Sequence, residues 1–253
     1  MTDPFRLDGR TIIVTGASRG IGAAVAKGIA ERGGAVVLVA RSEKALQQVS
    51  SELPTESAIV VGDVGDTQVV SDAIAAGERL GGLWGLVNNA GINPYYHPLT
   101  ATPLSEWDEV LRVNLLAAAA FSRAMALFLT EAGQGGRIVN IGSIGGLVGL
   151  PNIGAYNASK AALEGLTRSL AVELGPANIL CNSVAPGTIT TEMVADLMGA
   201  NPALKEKLVA KSPLGRLGSV EEGAAPIVFL LTAAAGFITG QTLVVDGGRL
   251  AAG

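Results

Sequence analysis

A chain of 253 residues, 49% of them hydrophobic, is long enough to bury a core of its own, so neither a disulfide framework nor a structural metal is required. With 18 Lys+Arg against 22 Asp+Glu, the formal charge is −4 and the pI near 5.1, which excludes the basic footprint of a nucleic-acid-binding surface. One cysteine, Cys181, and one histidine, His97, exclude an internal disulfide and a Cys/His metal cluster; a reducing, cytoplasmic setting is expected.

A mean hydropathy of +0.43 raises the question of a membrane. The longest charge-free windows lie between Arg137 and Lys160 and between Glu222 and Asp246. Gly142, Gly145, Gly146, Gly149, Pro151 and Gly154 interrupt the first, and Pro226, Gly236 and Gly240 the second, so neither reads as a lipid-spanning helix. The first ten residues carry Asp3, Arg6, Asp8 and Arg10 without an apolar stretch, so no signal peptide is expected.

In chain order, short apolar runs rich in β-branched residues fall at 11–14, 35–39, 58–61, 83–87, 137–141, 179–184 and 242–245. Longer stretches rich in Ala, Leu, Glu and Lys lie between them, as at 23–32 and 103–130. That alternation predicts βαβ units, and near-continuous apolar strands predict a parallel sheet covered on both faces, a doubly wound α/β fold. No linker or repeat breaks the pattern, so one domain is expected over 1–253. Residues 188–217, which hold Met193, Met198, Pro202 and Pro213, follow the sixth strand and are a candidate substrate lid.

The first strand runs straight into Thr15-Gly16-Ala17-Ser18-Arg19-Gly20-Ile21-Gly22 and then a helix. Glycines there let the backbone approach a pyrophosphate, and the helix N-terminus offers N–H groups and a positive dipole end. The second strand ends in Ala40, Arg41 and Ser42, with no carboxylate where the ribose 2′-hydroxyl of NAD would be held. Arg41 and Arg19 could instead converge on a 2′-phosphate, so the expected cofactor is NADP(H).

Tyr156 and Lys160 stand four apart in a segment, 155–174, that reads as helix, which puts both side chains on one face. An ammonium about 4 Å from a phenol favours phenolate by about 4 kcal/mol at an effective dielectric near 20, enough for acid/base work near neutrality. Ser143, just past the fifth strand, can donate to a carbonyl oxygen as charge develops on it. No histidine stands ready to activate that serine; His97 lies in a separate loop and is expected to have no chemical role.

These motifs, TGxxxGIG at 15–22, Asn88-Asn89-Ala90-Gly91, Ser143 and Tyr156-Asn157-Ala158-Ser159-Lys160, resemble the short-chain dehydrogenase/reductase family over essentially the whole chain. The resemblance implies a Rossmann-type, seven-stranded parallel sheet of order 3-2-1-4-5-6-7. It implies hydride transfer between the nicotinamide and a carbonyl carbon, with Tyr156 giving or taking the proton, Lys160 biasing Tyr156 and binding the nicotinamide ribose, and Asn114 holding a water relay. It also implies cofactor contacts at Gly16, Ser18, Arg19, Gly20, Ile21, Gly22, Ser42, Asp63, Val64, Asn89, Ala90, Gly91, Pro186, Gly187, Ile189 and Thr191. The segment 240–248 resembles the branch that includes 3-oxoacyl-carrier-protein reductases, whose members commonly form homotetramers.

The expected substrate is a free small-molecule ketone or secondary alcohol, held among Ser143, Tyr95, Leu147, Val148, Leu150, Tyr156 and Met193. The alternative is a 3-oxoacyl-carrier-protein or 3-oxoacyl-CoA thioester; against it, the ends of the two long helices lack the Lys and Arg that an acidic carrier would need. A non-catalytic dinucleotide sensor or scaffold would be free to lose Tyr156, Lys160 or Ser143, and all three are present. A dehydratase or epimerase would need a further acid/base residue that the sequence does not offer.

Overall fold

The computed structural model describes residues 3–191, 194 and 202–252. Seven parallel strands form one sheet in the order β3-β2-β1-β4-β5-β6-β7, as expected. They are β1 (Thr11–Thr15), β2 (Ala35–Ala40), β3 (Ser57–Val61), β4 (Leu83–Asn88), β5 (Gly136–Ile141), β6 (Ile179–Pro186) and β7 (Thr242–Val245). The central strands are buried on both faces, which is why their sequences run apolar without alternation.

Helices α1 (Gly20–Glu31) and α8 (Val220–Leu231) cover one face, packing Val25, Ile29, Ile227 and Leu231 against Ile12, Val14 and Leu38. Helices α3 (Thr67–Leu80) and α5 (Ala117–Glu131) cover the other, with Phe121, Met125 and Leu129 against Ile13, Leu86 and Ile138. The remaining helices are α2 (Glu43–Ser51), α4 (Leu104–Leu111), α6 (Gly154–Leu174) and α7 (Pro202–Ala210).

The helix expected at 103–130 departs from a regular α-helix at one point. A π-turn, Arg112–Leu116, joins α4 to α5 and holds Asn114. The joined helix, Leu104–Glu131, is long and apolar enough by composition to cross a membrane, but half of its most apolar stretch is buried. Its Phe121, Met125 and Leu129 line the sheet. Within 188–217, α7 is described, while Met193 and Met198 lie outside the described residues.

Cys181 is buried in β6, and desolvation pushes its thiol up to about 12. A native-state thiol titration should therefore label Cys181 no faster than the protein opens, with full labelling on unfolding in urea. Labelling at the rate of a free thiol would show that β6 opens locally.

Candidate active site

The carboxyl ends of β1, β4, β5 and β6 converge on one groove, and backbone economy shapes its floor. Gly16 and Gly20 have φ of +65° and +55°, conformations that favour glycine. A Cβ on Gly16 would stand 2.9 Å from Ala90 Cα, and one on Gly22 would stand 2.3 Å from the Gly16 carbonyl oxygen. The turn is bolted to β4: Asn89 Nδ2 donates to the carbonyls of Thr15 (2.9 Å) and Gly16 (3.1 Å), while Thr15 Oγ1 accepts from the amides of Asn89 and Ala90. Asn88 points to the α5 face of the sheet, donating to Asn140 Oδ1 at 2.8 Å and Ser122 Oγ at 2.9 Å.

Helix α1 starts three residues earlier than its apolar pattern indicates, because the glycine turn is its first turn. Its extended N-cap, Arg19, supplies no side-chain cap to the first amides. Glycines with no room for a side chain, beside a helix start of this kind, fit the pyrophosphate of a dinucleotide. Thr191 lies over Gly20, with Cγ2 3.6 Å from where a Cβ would be, so the segment after β6 folds onto the same turn. Gly187 is tied to β7 through Val245, and Ile189 is buried beside Gly218.

At the ends of β2 and β3, Arg41 is exposed, and the Ser42 hydroxyl caps α2 by accepting from the Ala45 amide. Asp63 is gripped by the Arg112 guanidinium (2.9 and 3.3 Å) and accepts from the Gly65 amide at 2.8 Å. These partners, Arg112 first, hold its carboxyl below the usual range. Val64 beside it is buried.

Tyr156 and Lys160 share one face of α6, with Lys160 Nζ 5.7 Å from the Tyr156 ring centroid. The ammonium makes its hydrogen bond elsewhere than to the phenol oxygen. Lys160 is 4% exposed and donates instead to the Ile141 carbonyl at 2.6 Å. Burial pushes Lys160 down to about 8, and the nearby Glu164 carboxylate offsets part of that.

The expected lowering of Tyr156 is accordingly corrected. Desolvation raises this phenol above its ordinary value, a hydrogen bond from Ser143 opposes the rise, and Tyr96 adds slightly to it. Ser143 Oγ also accepts from the Gly145 amide at 3.1 Å.

The π-turn carries Asn114 into this cluster. Its Oδ1 accepts from the Ile92 amide (2.8 Å), and its Nδ2 donates to the Ile92 carbonyl (3.0 Å) and to Ser159 Oγ (3.1 Å). Ser159 in turn donates to the Tyr156 carbonyl at 2.7 Å. Gly91 brings the main chain close; a Cβ there would lie 3.4 Å from both Asn114 Oδ1 and Lys160 Nζ.

The pocket residues divide. The Tyr95 hydroxyl donates to Glu109 at 2.5 Å, and it is Tyr96, held by Asn93 Nδ2 at 3.1 Å, that neighbours Tyr156. His97 pairs with Glu106 at 2.8 Å. Leu147 and Val148 are exposed beside the Ser143 turn, Leu150 lies against Gly145, and Met193 is outside the described residues. Sequence reasoning did not single out Thr15, Arg112, Ser159 or Glu164. Thr15 and Ser159 lay inside the quoted motifs, whereas the others are brought in by tertiary contacts alone.

A phenol and an ammonium on one helix face, at the mouth of a groove whose glycines admit a pyrophosphate, define an oxidoreductase that interconverts small-molecule carbonyls and secondary alcohols with a nicotinamide dinucleotide. The comparisons agree. The family model described as enoyl-(acyl carrier protein) reductase matches residues 16–249. L-rhamnose 1-dehydrogenase (NAD(P)(+)) of Sphingomonas sp. (strain SKA58) is 41% identical, with 96% of each chain covered.

The 3-oxoacyl-(acyl-carrier-protein) reductase of Pseudomonas aeruginosa is 39% identical over 96% of this chain and 98% of its own. A solved structure from Beutenbergia cavernae, provisionally described as an NAD(P)-dependent gluconate 5-dehydrogenase with NADP bound at low occupancy, superposes with a TM-score of 0.92 at 38% identity. That superposition covers 98% of this chain and all of the other. The chain belongs to the short-chain dehydrogenase/reductase family.

Proposed function

We propose that the protein is an NADP(H)-dependent ketone reductase and secondary-alcohol dehydrogenase acting on a free small molecule that carries hydroxyl groups. The observation that carries this reading is Tyr156 and Lys160 on one face of α6, with Nζ 5.7 Å from the ring, and the Ser143 hydroxyl beside the phenol. In reduction, Ser143 and Tyr156 hold the carbonyl oxygen between two hydroxyl donors, and Tyr156 supplies the proton that makes it an alcohol. Lys160 keeps a positive charge beneath the ring, and Asn114 and Ser159 fix the backbone of Tyr156 and the loop at Ile92. When bound, the nicotinamide supplies or accepts the hydride.

Gly16, Ser18, Arg19, Gly20, Ile21, Gly22, Asn89, Ala90 and Gly91 would hold the pyrophosphate and ribose side, Asp63 and Val64 the adenine, and Pro186, Gly187, Ile189 and Thr191 the nicotinamide side. The segment 188–217 would close over the substrate. Arg41, after a strand that ends without a carboxylate, supports NADP, as does the NADP carried by the Beutenbergia relative.

The polar rim at Asn93 and Tyr96 supports a hydroxylated substrate, in line with relatives named for L-rhamnose and gluconate. A carrier-protein thioester is the second reading, favoured by the Pseudomonas relative; the last turns of α5 and α6 carry no basic residue to receive an acidic carrier. A homotetramer is supported by apolar surface at Val172, Phe237, Leu243 and Val244, the last two on the edge strand β7.

The test is a spectrophotometric panel of hydroxyketones, plain ketones, 3-oxoacyl thioesters and secondary alcohols with both nicotinamide cofactors. NADPH should outperform NADH at least about tenfold in kcat/KM, and Arg41→Ala should shrink that gap, since a hydrogen bond to a charged group contributes roughly 1.5 to 3 kcal/mol. Faster turnover of carrier-bound thioesters than of free ketones would overturn the substrate reading.

A further inference from the structure

The ion pair between Arg112 and Asp63 joins the end of β3 to the π-turn, yet an ion pair this exposed contributes little to stability. It is nevertheless built with care. The two residues are 49 apart in sequence and meet in a forked, two-bond geometry at 2.9 and 3.3 Å. The loop after β3 passes directly under the guanidinium, where a Cβ on Gly65 would stand 2.1 Å from Arg112 Nη1. Arg112 also opens the π-turn that holds Asn114, so its backbone is fixed from the catalytic side.

The second cation near Asp63 is Arg41. Ala40 pairs with Val61 across β2 and β3, and the Gly62 amide donates to the Ala40 carbonyl at 3.0 Å, so Arg41 and Asp63 leave neighbouring strand ends on the same edge of the sheet. The charge of Arg41 is felt at Asp63. A carboxylate in that position has two options. It can pair with Arg112, or, without that partner, it can turn to Arg41 and take up the cation that a 2′-phosphate would need.

We infer that Arg112 is a specificity-determining residue, which by gripping Asp63 keeps that carboxylate from capturing Arg41 and from repelling the 2′-phosphate of an NADP-type cofactor. The inference rests on the reading of Arg41 as the 2′-phosphate contact. A cofactor without that phosphate has no stake in Arg41, so the effect falls on the ratio of the two affinities. Arg112 acts through Asp63 and is a positioning residue. If Asp63 loses its charge, Arg112 has nothing left to restrain.

The experiment is a fluorescence titration of NADPH and of NADH with the purified protein and its Arg41→Ala, Arg112→Ala, Asp63→Asn and Arg112→Ala/Asp63→Asn variants. Arg112→Gln, uncharged but of similar length, carries the same comparison should the alanine variant fold poorly. The Arg112 variants should lower the ratio of NADPH to NADH affinity about tenfold, the scale of one charged hydrogen bond. The double variant should recover most of that ratio.

A uniform weakening of both cofactors with the ratio unchanged would mark Arg112 as merely structural and overturn the inference, as would a double variant no better than Arg112→Ala. If Arg41→Ala itself leaves the ratio unchanged, the reading of Arg41 fails, and this inference falls with it. If Arg41→Ala lowers the ratio and the Arg112 variants do not, only this inference fails.

Discussion

Replacing Tyr156 by Phe should lower kcat by about 10³- to 10⁴-fold, the upper range for loss of a positioned acid/base group, while NADPH titration shows a cofactor site still formed. The substitution removes one oxygen and leaves the ring, its packing and the helix in place. It also removes the hydroxyl that lies beside Ser143, whose Oγ still accepts from the Gly145 amide. Because desolvation raises the phenol, Tyr156 carries its proton at neutral pH and is ready to act as an acid in reduction.

Alcohol oxidation needs the same group without its proton. The oxidative rate should therefore climb as pH rises from neutrality into the alkaline range, while the reductive rate stays level and then falls. Residual activity of the Phe variant within tenfold of the parent, or an oxidative profile flat with pH, would remove Tyr156 from the reaction.

What the sequence made legible follows from how local each signal is. The strands were readable because burial on both faces forces unbroken apolar runs, as at Ile12, Ile13 and Val14. The shared face of Tyr156 and Lys160 follows from helical spacing alone. The partner of Lys160 did not follow, because a buried ammonium must find an acceptor and the nearest one, the Ile141 carbonyl, belongs to β5.

The π-turn was equally hidden. Arg112 to Leu116 reads as ordinary helix, and the wider turn becomes intelligible only once Asn114 is seen bonded to Ile92 and Ser159 together. Two adjacent tyrosines gave no hint of which one faces the phenol. Glu109 on α4 engages the Tyr95 hydroxyl, while Tyr96 lies beside Tyr156. Asp63 was read as an adenine contact without its second role, because Arg112 lies 49 residues away in sequence.

Lys160→Met should abolish most turnover and also change how stability depends on pH, in a direction fixed by the burial of the amine. In the folded protein Lys160 loses its proton near 8, whereas in the unfolded chain a lysine keeps it to about 10.4. Between those values the unfolded state binds more protons, so the stability of the parent rises with pH by about 1.4 kcal/mol per unit across that window. Below pH 8 the amine is charged in both states, and the whole cost, about 3 kcal/mol, weighs on the fold.

Methionine has no such titration, although it leaves the Ile141 carbonyl without its donor. Cys181 acts in the opposite sense, since its thiol holds its proton to about 12 in the fold and stability is lost as pH rises above the unfolded thiol's value, but that contribution is common to both proteins and cancels. Urea unfolding of parent and variant at one protein concentration should thus show their difference shifting by about 2 kcal/mol in favour of the parent between pH 7 and pH 9.5. A difference independent of pH would mean that Lys160 is solvated in the native protein, and its buried place beneath Tyr156 would be lost.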